Sequence, residues 1–203
     1  MKRGKMFIIS GPSGVGKGTV LAEVLKQRRD VFVSISATTR PPRPGEVDGV
    51  HYHFLDAGTF KDWIAQDAFL EFAEYGGGSY GTPRKPVDSA LSEGRDVILE
   101  IEVQGALQVV KKIPDAVLIF VIPPSWEELE RRLTSRGTDS LEKIQKRLQR
   151  AKDEFHIARS HPYHYFILND AVEAAARELD AVMTVEQNRS AEHVEILEKT
   201  ISR

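Results

Sequence analysis

Met6-Phe7-Ile8-Ile9-Ser10-Gly11-Pro12-Ser13-Gly14-Val15-Gly16-Lys17-Gly18-Thr19 decides the fold. A short apolar run ends in a glycine-rich turn, and a helical pattern starts at Lys17. Strand, glycine loop and helix in that order make a cradle for anionic oxygens. Glycines let successive backbone N–H groups turn inward, and the helix adds the positive end of its dipole. Lys17 then reaches the β- and γ-phosphates of a nucleoside triphosphate. A ligand-free glycine turn is the rival reading, but it requires four glycines, a lysine and this setting to coincide. The residue after the lysine is usually Ser or Thr, whose hydroxyl ligates Mg²⁺. Here it is Gly18, with Thr19 one place later. Mg²⁺ keeps several waters and binds largely through phosphates, so it is expected to arrive with ATP and be held through water. Thr19 is left to bond a phosphate or to make local first-turn bonds.

Outward from this stretch, apolar runs alternate with helical patterns, which predicts an α/β fold with a mostly parallel sheet. Strands are predicted at residues 5–10, 96–101, 117–122 and 165–168, with a fifth candidate at 31–36. Helices are predicted at 17–29, 104–112, 126–135, 141–159, 171–188 and 191–201. In the last of these, Val194, Leu197 and Ile201 form an apolar stripe, which serves intrachain packing or a homodimer contact. Residues 36–83 break the alternation. They open with Thr38-Thr39-Arg40-Pro41-Pro42-Arg43-Pro44-Gly45, too rich in proline for a helix or central strand. Short alternating pieces at 50–54 and 69–75 and a helix near 59–66 follow, so this segment reads as an inserted β-rich lobe. Residues 131–150, dense in arginine around Gly137, read as a mobile helical lid. The resulting division is a core of 1–35, 84–125 and 156–203, a lobe of 36–83 and a lid of 126–155.

Composition narrows the function classes. A net charge of −2 gives no support for a nucleic-acid-coating role. The absence of cysteine removes disulfides, thiolate metal sites and cysteine nucleophiles together. The apolar run after the basic N-terminus is too short for a signal-peptide core or a membrane span, and cytoplasm is the expected location. His51 and His53 have no carboxylate or cysteine cluster beside them and read as ordinary residues of a partly exposed strand.

The inserted lobe carries the acceptor chemistry. Arg40 and Arg43 lie in a proline-stiffened loop, and arginine forks grip phosphate oxygens bidentately. Tyr52 and Tyr80 each offer a hydroxyl, and Glu46 is placed to orient one arginine or to sit solvated. Glu71 admits two readings, an outward strand residue or a base reader. Guanine presents N1–H and N2–H side by side, which one carboxylate accepts together. Adenine has an acceptor at N1 and would leave polar groups unpaired. The hydroxyls of Ser36 and Thr82 are candidates to donate to guanine O6.

The chain resembles the guanylate kinase family. The residues that carry the resemblance run in family order: Ser10 to Lys17, Thr38 to Glu46, Tyr80-Gly81-Thr82, Gln104-Gly105-Ala106, Pro123-Pro124-Ser125 and Arg136-Gly137-Thr138. The resemblance implies a three-layer phosphate-loop kinase core, a GMP-binding lobe and a lid. It assigns Gly11, Pro12, Ser13, Gly14, Val15, Gly16, Lys17, Gly18 and Thr19 to ATP, with Asn169 near the adenine, or else a helix N-cap or turn residue. Arg40, Arg43, Tyr52 and Tyr80 go to the GMP phosphate, and Ser36, Glu71, Thr82 and Glu102 to the guanine. Arg132, Arg136 and Arg147 reach the transferring phosphoryl group together with Lys17, while Arg131 and Arg150 are read as a solvated helix face. Glu100 and Glu102 are read as alternating along one strand, where Glu100 holds a water bound to Mg²⁺ or is a carboxylate near the N-terminus of the following helix. The family often has Asp at one or both of these positions. Gly76-Gly77-Gly78-Ser79-Tyr80 also differs from the family's usual Gly-Asn-Tyr-Tyr, and the turn is expected to be more flexible. The implied reaction is ATP and GMP giving ADP and GDP. Two rivals are a kinase on another phosphorylated acceptor and a non-catalytic module that binds phosphopeptides.

Overall fold

The computed structural model describes residues 3–75, 77–135, 140–189 and 200–201. Strand β1 (Met6–Ser10) is buried at every residue and is central in a five-stranded sheet. Its neighbours are β7 (Val97–Glu100) on one side and β8 (Val117–Ile122) on the other, both parallel to it. β2 (Phe32–Val33) extends the β7 edge and β9 (Tyr165–Leu168) the β8 edge, again in parallel. Continuous apolar runs are what a parallel sheet covered on both faces requires.

The two faces of β1 go to two cores. Phe7 and Ile9 pack with Ile119 and Val121 beneath α1 (Lys17–Leu25) and α7 (Val172–Gln187). Met6 and Ile8 pack with Leu99, Leu118 and Phe120 against α3 (Arg84–Ser92) and α4 (Val103–Lys112). The chain after β1 leads through α1 to the β2 edge, whereas the chain after β7 crosses β1 to reach β8. The crevice at such a reversal, outside the carboxyl ends of the strands, is where open α/β sheets bind ligands. The glycine loop lies there.

A second sheet holds β3 (Ala37–Thr38), β4 (His53–Phe54), β5 (Phe69–Tyr75) and β6 (Gly78–Pro83) in the order β4-β3-β6-β5. Its core is small: Ala37, Phe60 and Phe69 are buried, with Leu55, Trp63 and Ile64 packed against them. Phe60 belongs to α2 (Ala57–Ala65), whose N-terminus is capped by Asp56 accepting from Thr59 N at 2.9 Å. A third layer of packing joins α5 (Trp126–Thr134) to α6 (Leu141–Ser160) through Leu129, Leu133 and Ala151. No described helix is long and apolar enough to cross a membrane.

Several expected boundaries move. α1 stops at Leu25 instead of residue 29, because residues 26–29 bury nothing on the apolar stripe. Arg28 instead reaches across to Asp180 and to Thr184 on α7. The fifth strand candidate pairs only at Phe32–Val33. The alternating piece at 50–54 contributes only His53–Phe54, and His51 Nδ1 accepts from Val47 N at 3.0 Å in the preceding turn. Helix α3 was not expected. Pro86 sits in its first turn, where a missing N–H costs nothing, and Val87, Ala90 and Leu91 supply the buried stripe. Most of the final helix prediction, including Val194 and Leu197, lies outside the described residues.

The small sheet depends on few apolar side chains. Phe60→Ala is expected to cost about 3–5 kcal/mol. Chemical denaturation should show this as a lower midpoint.

Candidate active site

The glycine loop is fastened from outside. Gly16, at the N-cap of α1, has φ of 95°, and a Cβ there would lie 2.5 Å from Asn169 Nδ2. Glycine is needed for both reasons. Asn169 is buried, and its Nδ2 donates to Val15 O at 2.7 Å. Arg132 donates to the same carbonyl at 3.2 Å, to Asn169 O at 3.1 Å and to Glu128 Oε1 at 2.7 Å. Arg147 Nη2 donates to Ser13 Oγ at 2.6 Å. Lys17 Nζ donates to Gly11 O at 2.5 Å and to Pro12 O at 3.4 Å. Two of the three expected lid arginines therefore meet the loop, and Arg132 also supports its backbone. Arg136 lies outside the described residues.

Asn169 is placed beneath the loop, and Ala171 instead caps the helix that follows it. Its Oδ1 is buried without a hydrogen-bond partner. Behind the loop, Ser10 Oγ and Tyr163 OH share a buried 2.7 Å hydrogen bond, and burial pushes the Tyr163 hydroxyl up to about 12. The loop's supports from Asn169, Arg132 and Tyr163 are long-range contacts. Asn169 and Arg132 are among the site residues the sequence names, and Tyr163 is not.

On the small sheet, Arg40 is held from several directions. Its two terminal nitrogens donate to the two oxygens of Glu46, each at 2.8 Å, and its Nε donates to Tyr80 OH at 3.2 Å. Its guanidinium also lies 5.3 Å from the Tyr52 ring centre and 5.8 Å from that of Phe54. The Arg40 pair, then the Arg43 N–H at 2.6 Å, hold the Glu46 carboxyl down at about 2. Thr39 and Ser79 exchange bonds that tie this loop to β6. Arg43 is exposed and Ser36 is half-buried just before β3. This brings Arg40, Tyr52 and Tyr80 together, oriented by Glu46.

Glu71 is buried although it is charged in type. The pairing of β5 with β6 slips between Phe69 and Glu71, so Leu70 is an extra residue and Glu71 stands opposite Thr82. Such a bulge re-aims a side chain. Thr82 Oγ1 donates to Glu71 Oε1 at 2.6 Å. That commits the one Thr82 proton, so here Thr82 orients the carboxylate and does not donate toward a base carbonyl. Burial raises the Glu71 carboxyl above its ordinary value, against the Thr82 hydrogen bond that lowers it.

Glu100 and Glu102 do not share a strand. β7 ends at Glu100, and Glu102 is the N-cap of α4, because Val103 already turns helical to bury itself in the core. Glu100 is open to solvent in the cleft, and its oxygens lie 3.4 and 3.6 Å from where a Cβ on Gly18 would be. The cleft walls raise its carboxyl, and Lys17 opposes the shift. Glu102 Oε2 accepts from Arg150 Nη2 at 2.6 Å, and Arg150 Nε donates to Glu154 Oε1 at 3.2 Å. Arg150 is thus half-buried between two acids, not on a solvated face. Arg131, which pairs with Glu128, is on the exposed face as expected. Glu154 is buried and is pushed up to about 8, first by burial and then by its hydrogen bond with Glu102. Among the described residues, no group of three or more His, Asp or Glu is placed to hold a metal ion.

A parallel sheet with a glycine loop and lysine at the end of its central strand, faced by arginines, defines a phosphate-loop nucleotide-binding protein of the kinase class. The sequence model of guanylate kinase matches residues 3–186. The chain belongs to the guanylate kinase family. It is 56% identical over 201 residues to a guanylate kinase of Thermus thermophilus, covering 99% of this chain and 90% of the relative. The crystal structure of guanylate kinase from Anaplasma phagocytophilum superposes with a TM-score of 0.82 at 30% identity, covering 100% of this chain and 96% of that one. The SH3-kinase fragment of tight junction protein 3 shares the fold, with a TM-score of 0.50 at 13% identity over 93% of this chain and 58% of that one.

The raised Glu71 carboxyl makes a stability prediction. A carboxyl near 4.3 in the unfolded chain and higher in the fold costs stability as pH rises above the unfolded value. Glu71→Gln removes that cost and can still accept from Thr82. Its thermal midpoint should exceed wild type at pH 7–8, and the gain should vanish below about pH 4, where both states are protonated.

Proposed function

We propose that the protein transfers the γ-phosphoryl group of ATP to the phosphate of GMP, giving ADP and GDP, as a Mg²⁺-dependent step of purine nucleotide metabolism in the cytoplasm. One observation carries this reading: a buried carboxylate, Glu71, is oriented by Thr82 on the same small sheet as the Arg40, Tyr52 and Tyr80 cluster. Two acceptor oxygens match the paired N–H donors of guanine, and the arginine cluster matches a phosphate. The same base and phosphate contacts are open to dGMP, which is proposed as a second acceptor. Ser36 and Glu102 complete the acceptor site. Asn169 Oδ1, an acceptor without a partner, suits the amine of adenine.

Phosphoryl transfer is mostly positioning and charge stabilisation. An oxygen of the GMP phosphate attacks the γ-phosphorus, and the bond to the β-bridging oxygen breaks, leaving ADP. The second pKa of a phosphate monoester is about 6, so the attacking oxygen is largely ionised and needs no general base. Lys17 and Arg147 stabilise the charge that spreads over the transferring group, with Arg132 holding the loop that presents it. Arg136 is assigned to the same task from its sequence position. Residues 126–155 act as the lid, and closing it over the cleft excludes water, the competing acceptor. Gly18 leaves room beside the Glu100 carboxylate, and a carboxylate suits the water shell of Mg²⁺. When bound with ATP, the ion neutralises phosphate charge.

Lys17→Ala should lower kcat at least about a thousandfold while GMP binding by calorimetry stays near wild type. Near-wild-type turnover would remove Lys17 from the chemistry. ADP release measured with GMP, dGMP, AMP, CMP, UMP and ribose phosphate tests the whole reading. GMP and dGMP should lead, AMP turned over as well as GMP would refute the base reader, and silence with every acceptor would leave a binding module.

A further inference from the structure

Helix α4 belongs to the main core, yet one of its faces runs along β5, the edge strand of the small sheet. Lys112 Nζ donates to Phe69 O at 3.2 Å. Gln108 Oε1 accepts from Phe72 N at 3.3 Å, and its Nε2 donates to Phe72 O at 3.0 Å. An edge strand has backbone groups that need partners, and the Gln108 amide supplies the same pair of bonds that a further strand would. Between these two anchors lies Glu71. Gly105, one turn before Gln108 on the same face, meets its carboxylate: a Cβ at 105 would stand 2.5 Å from Glu71 Oε2 and 3.0 Å from its Cδ. Real Cβ atoms do not come that close, so any side chain at 105 displaces the carboxylate or the strand. Oε1 is meanwhile held by Thr82. The carboxylate is thus fixed on one oxygen by a hydrogen bond and backed on the other by bare helix.

We infer that α4 sets the base selectivity of the acceptor site, with Gly105 and Gln108 as positioning residues that hold Glu71 where it reads guanine. The inference rests on the reading of Glu71 given above. A guanine contact needs both oxygens placed against N1–H and N2–H, and the second of those donors is what IMP lacks. Displacing the carboxylate breaks this paired contact, of which IMP makes only the N1–H half, so GMP is weakened more than IMP. A residue that only stabilised the fold would lower both nucleotides alike.

The test measures kcat and KM for GMP and for IMP at saturating ATP, the KM for ATP, and thermal midpoints. Wild type should favour GMP, and Glu71→Gln should erase most of that preference; if it keeps the wild-type ratio, the Glu71 reading fails and takes this inference with it. Gly105→Ala should cut the GMP-to-IMP preference about tenfold, the size of one lost bond to a charged group. The change should lie in the KM for GMP, with the KM for ATP near wild type. Alanine is the better helix former, so α4 itself is not weakened. Gln108→Leu, which keeps bulk but loses both bonds to Phe72, should move the ratio the same way by about threefold, and it decides alone if Gly105→Ala does not fold. Either folded variant with the wild-type ratio, beside a Glu71→Gln that has lost it, overturns the inference.

Discussion

One carbonyl holds the nucleotide loop in shape. A loop that turns its N–H groups toward an anion must turn carbonyls away from it, and those carbonyls need partners inside the protein. Val15 O finds two, Asn169 Nδ2 and Arg132 Nη1. Asn169 is delivered by the end of β9, so its position depends on the register of β9 on β8. Arg132 is delivered by α5, and Glu128 one turn earlier aims it. The loop's geometry is therefore set jointly by the edge of the main sheet and by the helix pair α5–α6. Arg147 adds a second link from α6 through Ser13. The α5–α6 pair and the loop are thus joined by side-chain contacts from Arg132 and Arg147.

The acceptor side follows a different logic. The small sheet has little apolar core, so polar contacts hold its working residues. Glu46 grips Arg40 with both oxygens, and aromatic rings pack beside the guanidinium. The extra residue at Leu70 sends Leu70 into the main core while Phe69 fills the small one. That split stitches the two sheets together at the residue before Glu71. Buried acids are a standing cost: Glu71 and Glu154 are buried, and Glu100, open to solvent in the cleft, shares their raised carboxyl. Such a concentration is what a site built for function retains against stability.

The main sheet was legible because its strands are continuous apolar runs bounded by turn residues. Strands at 117–122 and 165–168 fall where the sequence puts them. The glycine loop was legible because its chemistry is local. Arg40 and Glu46 stand six residues apart and pair, which is one of the two readings open for Glu46. What escaped needed contacts across the chain or a violated local rule. Pro86 reads as a helix breaker but occupies the tolerant first turn of α3. Glu102 looks like a strand residue because Glu100 and Glu102 have strand spacing, yet the strand stops where Val103 is drawn into the core. Arg150 looks like a solvated face until Glu102 and Glu154, 48 and 4 residues away, converge on it. The bonds from Asn169 and Arg132 to Val15 span 154 and 117 residues, which no spacing rule anticipates. The small sheet was hard to trace because β3 and β4 are two residues long and pair in parallel across the proline-rich loop.

Charge in the cleft also bears on how the proposed acidic base reader would sit beside two anionic nucleotides. A carboxylate near incoming phosphates raises their cost of entry, and burial without partners raises its own. Burial raises the Glu71 carboxyl, and the Thr82 hydrogen bond opposes the shift. Guanine, in the proposed site, brings two N–H donors to the same oxygens and favours the ionised form. In that proposed site, matching donors offset part of the desolvation already suffered on folding. Adenine, with an acceptor facing the carboxyl, recovers less of it. The proposed selectivity therefore rests on donors that match a buried carboxylate, and the same burial sets its cost to the fold.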